Sequence, residues 1–354
     1  MISSPLLRGA STMGIGAAGG LVFNMLSLPL PWVLGSITAT ALTAHSSGFR
    51  AKLPVKWRSY AMVAIGTMLG TGFTQEVVAQ SGRWAMSLIV MSLLSLVFGL
   101  LAYVVFRRWG KMDRATAMFS AMPGGLSMVT MLAEQYKTEV NRVVLCHSAR
   151  IIVLLVTAPI IIQMISDINL SDANRLAFHS AENIDPLRHG VLALAAIISW
   201  FIATRVNFPS AMLLVPLLAS AFLHATGLIT VHVPSILSIL AQVAIGSSVG
   251  ARFANYSLIQ IVRDGWLAAV VGGGLALGSL ACAAVIAPIA GVDMAPLFLS
   301  YLPGGAPELG VVALALMIDP AMVAAHHVLR VFLIVLAMPV LMRRLSRGDP
   351  DKQA

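Results

Sequence analysis

The chain reads as an all-α polytopic membrane protein. It divides into two inverted-topology repeats of about five spans each, with broken or re-entrant helices at Pro-Gly-Gly motifs. Three observations predict this: an extreme composition, self-similarity at one constant offset, and basic loop clusters that change places between the halves. Hydrophobic residues make up 58% of the 354 positions and charged residues 10%, where a soluble globular domain carries about 25% charged residues. The net charge of +9 implies no nucleic-acid partner, because membrane proteins retain Lys and Arg in their cytoplasmic loops. The two cysteines, Cys146 and Cys282, both lie in apolar runs. Neither a disulfide framework nor a cysteine metal site is expected, and no cofactor. The start, with Arg8 and then a Gly-rich apolar run, has the charge of a signal peptide but no clear small-residue cleavage site. It reads as the first membrane segment.

Shifting the chain against itself by 180 positions aligns Pro29 with Pro209, Ala64-Ile65-Gly66 with Ala244-Ile245-Gly246, Gly70 with Gly250 and Phe73 with Phe253. The same shift aligns Asp113 with Asp293, Ser120 with Ser300, Pro123-Gly124-Gly125 with Pro303-Gly304-Gly305, His147 with His327, Arg150 with Arg330 and Pro159 with Pro339. One offset held over the whole length is the mark of a duplication. It predicts a first membrane repeat over 1–170, a polar connector over 171–188, a second repeat over 189–345 and a tail over 346–354.

Loop charge sets the relative orientation of the halves. Arg50, Lys52, Lys56 and Arg58 cluster in one loop of the first half, and Arg107, Arg108, Lys111 and Arg114 in another. The matching loops at 231–234 and 288–293 hold no Lys or Arg. The ends reverse this: the first half closes on an acidic connector, the second on Arg343, Arg344 and Arg347. Excess Lys and Arg marks the cytoplasmic side, so the halves face opposite ways and each crosses an odd number of times.

The apolar segments follow in order. In the first half they are Ile15–Leu28, Trp32–Ala44, Ala61–Phe73, Ala85–Phe106, Ala115–Leu132 and Val140–Ile165. In the second they are Val191–Ile202, Ala211–Ala225, Ile236–Val249, Trp266–Ile289, Met294–Met317 and Ala321–Met342. Six segments and an odd number of crossings leave at least one per half broken or re-entrant. The candidates are the two that carry Pro123-Gly124-Gly125 and Pro303-Gly304-Gly305-Ala306-Pro307-Glu308. Proline removes a donor and clashes with the preceding turn, and glycine is a weak helix former. At membrane depth such a break is tolerated only where protein or a wet cavity covers the freed backbone. The Gly14-x-Gly16-x-x-Gly19-Gly20 run has no preceding strand, so it signals close helix packing rather than a dinucleotide site.

Ionisable residues inside spans are costly and are functional candidates by default. Arg150 and Arg330 hold equivalent places in the two halves, 27 positions beyond Pro123 and Pro303. Inversion brings both toward the midplane, as anion partners or paired with Glu308 or Asp residues; snorkelling to the interface is the structural alternative. His147 and His327 lie three residues earlier on the same helix face, as packing residues or as proton relays. Glu308 follows the second break and opens a helix, either as an acid satisfying that N-terminus or as a proton- or cation-coupling carboxylate. Asp113 and Asp293 read as N-caps, and Glu134, Glu139 and Asp319 as solvated loop residues. The broken-helix N-termini at Pro123, Gly124 and Gly125 and at Pro303, Gly304 and Gly305 would hold an anionic group by backbone N–H and dipole. No His/Met metal cluster stands out from 8 His and 19 Met.

The motifs Ala121-Met122-Pro123-Gly124-Gly125-Leu126-Ser127, Pro303-Gly304-Gly305-Ala306-Pro307-Glu308, the His-x-x-Arg pairs and Leu30-Pro31-Trp32-Val33-Leu34-Gly35 resemble the AbrB-type duplicated membrane proteins. The resemblance covers essentially the whole chain. One departure is Met128, where the family pattern carries Glu, so two symmetric carboxylates are not implied here. The resemblance implies a multi-pass bacterial inner-membrane protein with both termini cytoplasmic. Its labels are regulator of gene expression and ammonia monooxygenase. The residues themselves favour a secondary transporter of a small anionic solute, by alternating access between the halves. A membrane regulator or oxidoreductase is the alternative. The expected partners are the bilayer and a small solute, with homo-oligomerisation left open.

Overall fold

The computed structural model describes residues 5–46, 49, 51–123, 126–166 and 185–347, and every regular element among them is helical. The first half supplies α1 (Pro5–Met25), α2 (Pro31–Ser46), α3 (Val55–Thr71), the short α4 (Gln75–Gln80), α5 (Trp84–Arg108), α6 (Arg114–Ala121), α7 (Leu126–Gln135) and α8 (Val140–Ile165). The second supplies α9 (Pro186–Arg205), α10 (Ala211–Ala225), α11 (Ser235–Gly250), α12 (Trp266–Ala290), α13 (Met294–Tyr301), α14 (Ala306–Ala315) and α15 (Pro320–Arg347). A 3-10 turn over Ala251–Asn255 and a π-turn over Ile261–Gly265 join α11 to α12. Seven helical stretches among the described residues are long and apolar enough to cross a bilayer. Leucines such as Leu93, Leu96 and Leu100 on α5 are exposed, as expected of a lipid-facing surface. The predicted connector over 171–184 and the tail from 348 lie outside the described residues.

Helix starts recur at the offset seen in the sequence: 31 and 211, 55 and 235, 114 and 294, 126 and 306, 140 and 320. So do turns with left-handed backbone, at Leu30 and Ser210, Lys111 and Gly291, and Lys137 and Met317. A non-glycine residue at positive φ is uncommon, so matched pairs of them mean that the same turns are built twice. The structure begins α1 ten residues ahead of the apolar run at Ile15. Its first turns carry Arg8, Ser11 and Thr12, too polar for a hydropathy reading, and Thr12 satisfies itself on the Arg8 carbonyl at 2.7 Å.

The segments with Pro-Gly-Gly do not cross as single helices. α6 and α7 are 8 and 10 residues long, about 12 and 15 Å, and each reaches only part of the way through a hydrocarbon core of about 30 Å. The Glu139 N–H after α7 donates to Thr116 Oγ1 at the start of α6, at 3.2 Å. The end of the pair therefore lies beside its start. In the second half the chain leaves α13 after Tyr301 and re-enters helix at Ala306.

Caps explain where the half-helices start. Asp113 accepts from Ala115 N at 2.9 Å and Thr116 N at 3.0 Å. Asp293 holds the same place but makes no such bond, because Pro296 stands where Thr116 does and has no N–H to donate. Asp319 is a half-buried cap rather than a solvated loop residue, accepting from Met322 N at 3.0 Å. Glu134 and Glu139 are exposed.

Small residues bring the long helices together. A Cβ on Gly66 of α3 would collide with the Leu213 carbonyl of α10, and one on Gly246 of α11 with the Val33 carbonyl and Ser36 Oγ of α2. Backbone cannot retreat as a flexible side chain can. Gly66→Val is expected to destabilise the protein by roughly 1–3 kcal/mol, read as a lower thermal midpoint in detergent. Gly273→Val, with open space around it, should leave the midpoint in place; equal effects of the two would refute the close-approach account.

Candidate functional site

The two arginines singled out by the sequence are fully buried, and both end on the C-terminal carbonyls of a half-helix. Arg330 Nη1 donates to Leu302 O at 2.6 Å, and Nη2 to Ser300 O at 2.8 Å and Tyr301 O at 3.2 Å. Its Nε donates to Ser95 Oγ of α5 at 3.3 Å. Arg150 Nη2 donates to Met122 O at 2.8 Å, and Nη1 reaches Ser120 O at 3.4 Å and Ala121 O at 3.5 Å. A helix that stops inside a membrane strands its last carbonyls and leaves the negative end of its dipole uncompensated. A guanidinium, planar and carrying five donors, meets both needs at once.

Each arginine also donates to the histidine one turn before it: Arg150 Nη2 to His147 Nδ1 and Arg330 Nη1 to His327 Nδ1, both at 3.1 Å. Arginine stays protonated, so each Nδ1 is the acceptor and each proton sits on Nε2. His147 Nε2 donates to Phe119 O at 2.8 Å, which leaves that ring with no free nitrogen. His327 Nε2 lies toward the equivalent Leu299 carbonyl without a hydrogen bond of normal geometry, and is buried. His326 points elsewhere, to Ser87 Oγ at 2.9 Å and Met322 O at 2.8 Å.

A cavity of ≈ 640 Å³ connects the two breaks. Of the sequence candidates it brings together Pro123 with Gly304, Gly305, Glu308, His327 and Arg330. Arg150, His147 and Pro303 do not face it, and Gly124 and Gly125 lie outside the described residues. Glu308 is 3% exposed and sits in the first turn of α14. A Cβ added to Gly305 would strike its carboxylate oxygen, so the acid folds back over the helix start.

Two features of the site were not legible in the sequence. Arg58, part of a cytoplasmic-type basic cluster, turns half-buried into the cavity. Arg252, just past α11, has its Nη1 buried without a hydrogen-bond partner and feels the charges of Arg58 and Glu308. An arginine at the end of an apolar run reads as an interfacial anchor, and only the packing of α14 against α3 reveals otherwise. Elsewhere, Asp264 of the π-turn is buried between Arg142 at 3.0 Å and Arg263 at 3.0 Å. Among the described residues no three His, Cys, Asp or Glu side chains converge as a metal-ligand set.

Seven long apolar helical stretches among the described residues, with apolar side chains exposed along them, define a polytopic α-helical membrane protein. The family described as "Transition state regulatory protein AbrB" matches residues 32–346, and the chain belongs to it. It is 25% identical over 376 residues to "Uncharacterized protein YhjN" of Bacillus subtilis (strain 168), covering 98% of this chain and 96% of that one. It is 24% identical over 341 residues to "Putative regulator AbrB" of Escherichia coli (strain K12), covering 94% of each chain.

Proposed function

We propose that the protein is a secondary transporter of a small anionic solute, working by alternating access between two inverted repeats in a bacterial inner membrane. The observation that carries this reading is the cavity that reaches Pro123 on one hairpin and Gly304–Glu308 on the other. Discontinuous helices meeting at a buried polar centre are how many secondary transporters hold their cargo. The half-helix start at Ala306 and the guanidinium of Arg58 bring positive potential to the cavity wall.

Contacts between the halves support inversion. We read α2 and α3 as consecutive crossings, which run in opposite directions. Gly66 of α3 lies against Leu213 of α10 and Gly70 against Leu217 and Ser220, so α3 and α10 run the same way. α10 is the counterpart of α2 at the 180-residue offset, hence α2 and its counterpart are antiparallel. The reciprocal pair, Gly246 against Val33 and Gly250 against Ile37, is the exchange of partners that a twofold relation produces. With five crossings per half, basic loops and both termini fall on the cytoplasmic side. The cavity mouth at Val55, Arg58 and Asn207–Ser210 then faces the cytoplasm.

Reconstituted protein in liposomes should accumulate an organic anion from a broad panel when a pH gradient is imposed, and Glu308→Gln should abolish the uphill component. Absence of flux across the panel would sink the transporter reading. Solute binding without flux would favour a membrane regulator, the word in the name of the Escherichia coli relative.

A further inference from the structure

The helices sort by packing into two groups, and neither group is a repeat. In the first, α3 packs on α10, α2 on α1 and α11, and α9 on α10. Glycines hold this group backbone to backbone. A Cβ on Gly66 would meet the Leu213 carbonyl, one on Gly246 the Val33 carbonyl and one on Gly250 the Ile37 carbonyl. In the second group, α8 packs on α12, α5 on α6 and α15, and α12 on α13. Buried polar contacts tie it together across the repeats. Arg330 of α15 reaches Ser95 of α5 at 3.3 Å, His326 of α15 reaches Ser87 of α5 at 2.9 Å, and Arg142 of α8 reaches Asp264 beside α12 at 3.0 Å. Each repeat thus gives its first three helices to one group and its later helices to the other. Within each repeat the chain passes between the groups once, at 72–83 and at the corresponding 251–265.

Contact between the groups is of another kind. Side chain meets glycine: Leu69 of α3 lies over Gly310 of α14, and Pro320 of α15 over Gly72 at the end of α3. Small sliding movements of packed helices are tolerated at such surfaces. The cavity of ≈ 640 Å³ lies in the same seam, with Val55, Arg58 and Met62 of α3 on one wall and Pro123, Gly304 and Glu308 of the half-helix group on the other. The seam is also unequal. α3 packs on α14 and α15, whereas its counterpart α11 makes only slight contact with α7 and α8 among the described residues. An inverted pair that packs unequally has a second arrangement in which the two copies exchange roles. We propose that the group of α5–α8 and α12–α15 slides along this seam, carrying the half-helix wall of the cavity, until α11 packs on α7 and α8 as α3 now packs on α14 and α15. In that state Leu69 leaves Gly310, and Val249 comes onto Thr130, the pair 180 positions away. The moving bodies are therefore two mixed groups rather than the two repeats. That a solute travels with the half-helix group rests on the transporter reading; the movement itself does not.

The test is pulsed electron–electron resonance between pairs of nitroxide labels on the full-length protein in lipid nanodiscs, with Cys146→Ala and Cys282→Ala as background. The label sites are Val22 on α1, Leu96 on α5, Leu218 on α10 and Leu277 on α12, each more than half exposed and clear of the seam. Gly310→Leu has no room against Leu69 and should favour the second state over the first by about tenfold relative to wild type. Between wild type and Gly310→Leu, the Val22–Leu96 and Leu218–Leu277 distances should shift, although each pair lies within one repeat. The Val22–Leu218 and Leu96–Leu277 distances should hold, although each pair joins the two repeats. Gly72→Leu, which strikes Pro320, should give the same shifts by a separate route, so the result does not hang on one variant folding. Repeat-joining distances that move, or four distances unchanged in both variants, would overturn the proposal. Failure of the transporter reading looks different: the distances shift in this pattern, which upholds the mixed groups, yet liposomes show no flux.

Discussion

Arg330→Ala is expected to cost the folded protein roughly 3–5 kcal/mol, because its partners stay buried after the charge is gone. The side chain is 2% exposed. Its removal strands Ser300, Tyr301 and Leu302 carbonyls at the end of α13, takes a donor from Ser95 Oγ and leaves His327 Nδ1 without a donor. The measurement is thermal unfolding in detergent followed by circular dichroism. Arg330→Lys should fall between, since a point charge reaches one or two carbonyls where the fork reaches three. Arg150→Ala should be milder. Its Nε has no partner, and two of its carbonyl contacts are long, at 3.4 and 3.5 Å. An Arg330→Ala protein that melts with wild type would refute the capping role, and equal losses at the two sites would refute the ranking.

The second large effect is expected at the start of α8. Arg142→Leu leaves the Asp264 carboxylate, 4% exposed, with only Arg263, whose own side chain is 65% exposed. Breaking such a pair from one side costs roughly 2–4 kcal/mol, whereas replacing both members with apolar residues is far less damaging. The double variant Arg142→Leu/Asp264→Leu should thus regain most of the loss, and the coupling between the two substitutions measures the pair. The loss should change little between low and moderate salt, because buried charges are screened poorly. If the double variant were as unstable as the sum of the single ones, the ion pair would not be the cause. Arg142 also holds the Gly110 carbonyl at 3.0 Å, so part of the loss should persist in the double variant.

Reading the sequence alone located the interruption near Pro303, whereas Gly124 and Gly125 lie outside the described residues. Pro303-Gly304-Gly305 interrupts helix for reasons carried by those residues, and α13 and α14 end and begin around it. The same logic placed Glu308 in the first turn of a helix. It also predicted Asp113 as a cap and missed the failed bond at Asp293, although Pro296 was in plain view three positions on. The arginines are the instructive case. Burial and equivalence of Arg150 and Arg330 were legible, but an anion partner was the expectation, whereas their hydrogen bonds run to backbone carbonyls of the preceding half-helix. A side-chain pattern shows where a charge sits along a chain, not which carbonyls another segment leaves exposed beside it.

By itself the sequence determined what is local or periodic: apolar runs long enough to span, breaks at proline and glycine, an offset of 180 residues, and a +9 charge gathered in loops. Backbone stereochemistry and the cost of desolvating charge act on each segment wherever it lies, so these needed no neighbours to be read. Only the tertiary structure decided that the end of α7 returns beside the start of α6, that Arg150 and Arg330 cap half-helices, and that Arg58 and Glu308 line one cavity. Those facts join residues up to 250 positions apart, Arg58 to Glu308. Such pairings are set by how helices settle into one another's grooves, where small residues such as Gly66 and Gly246 permit contact.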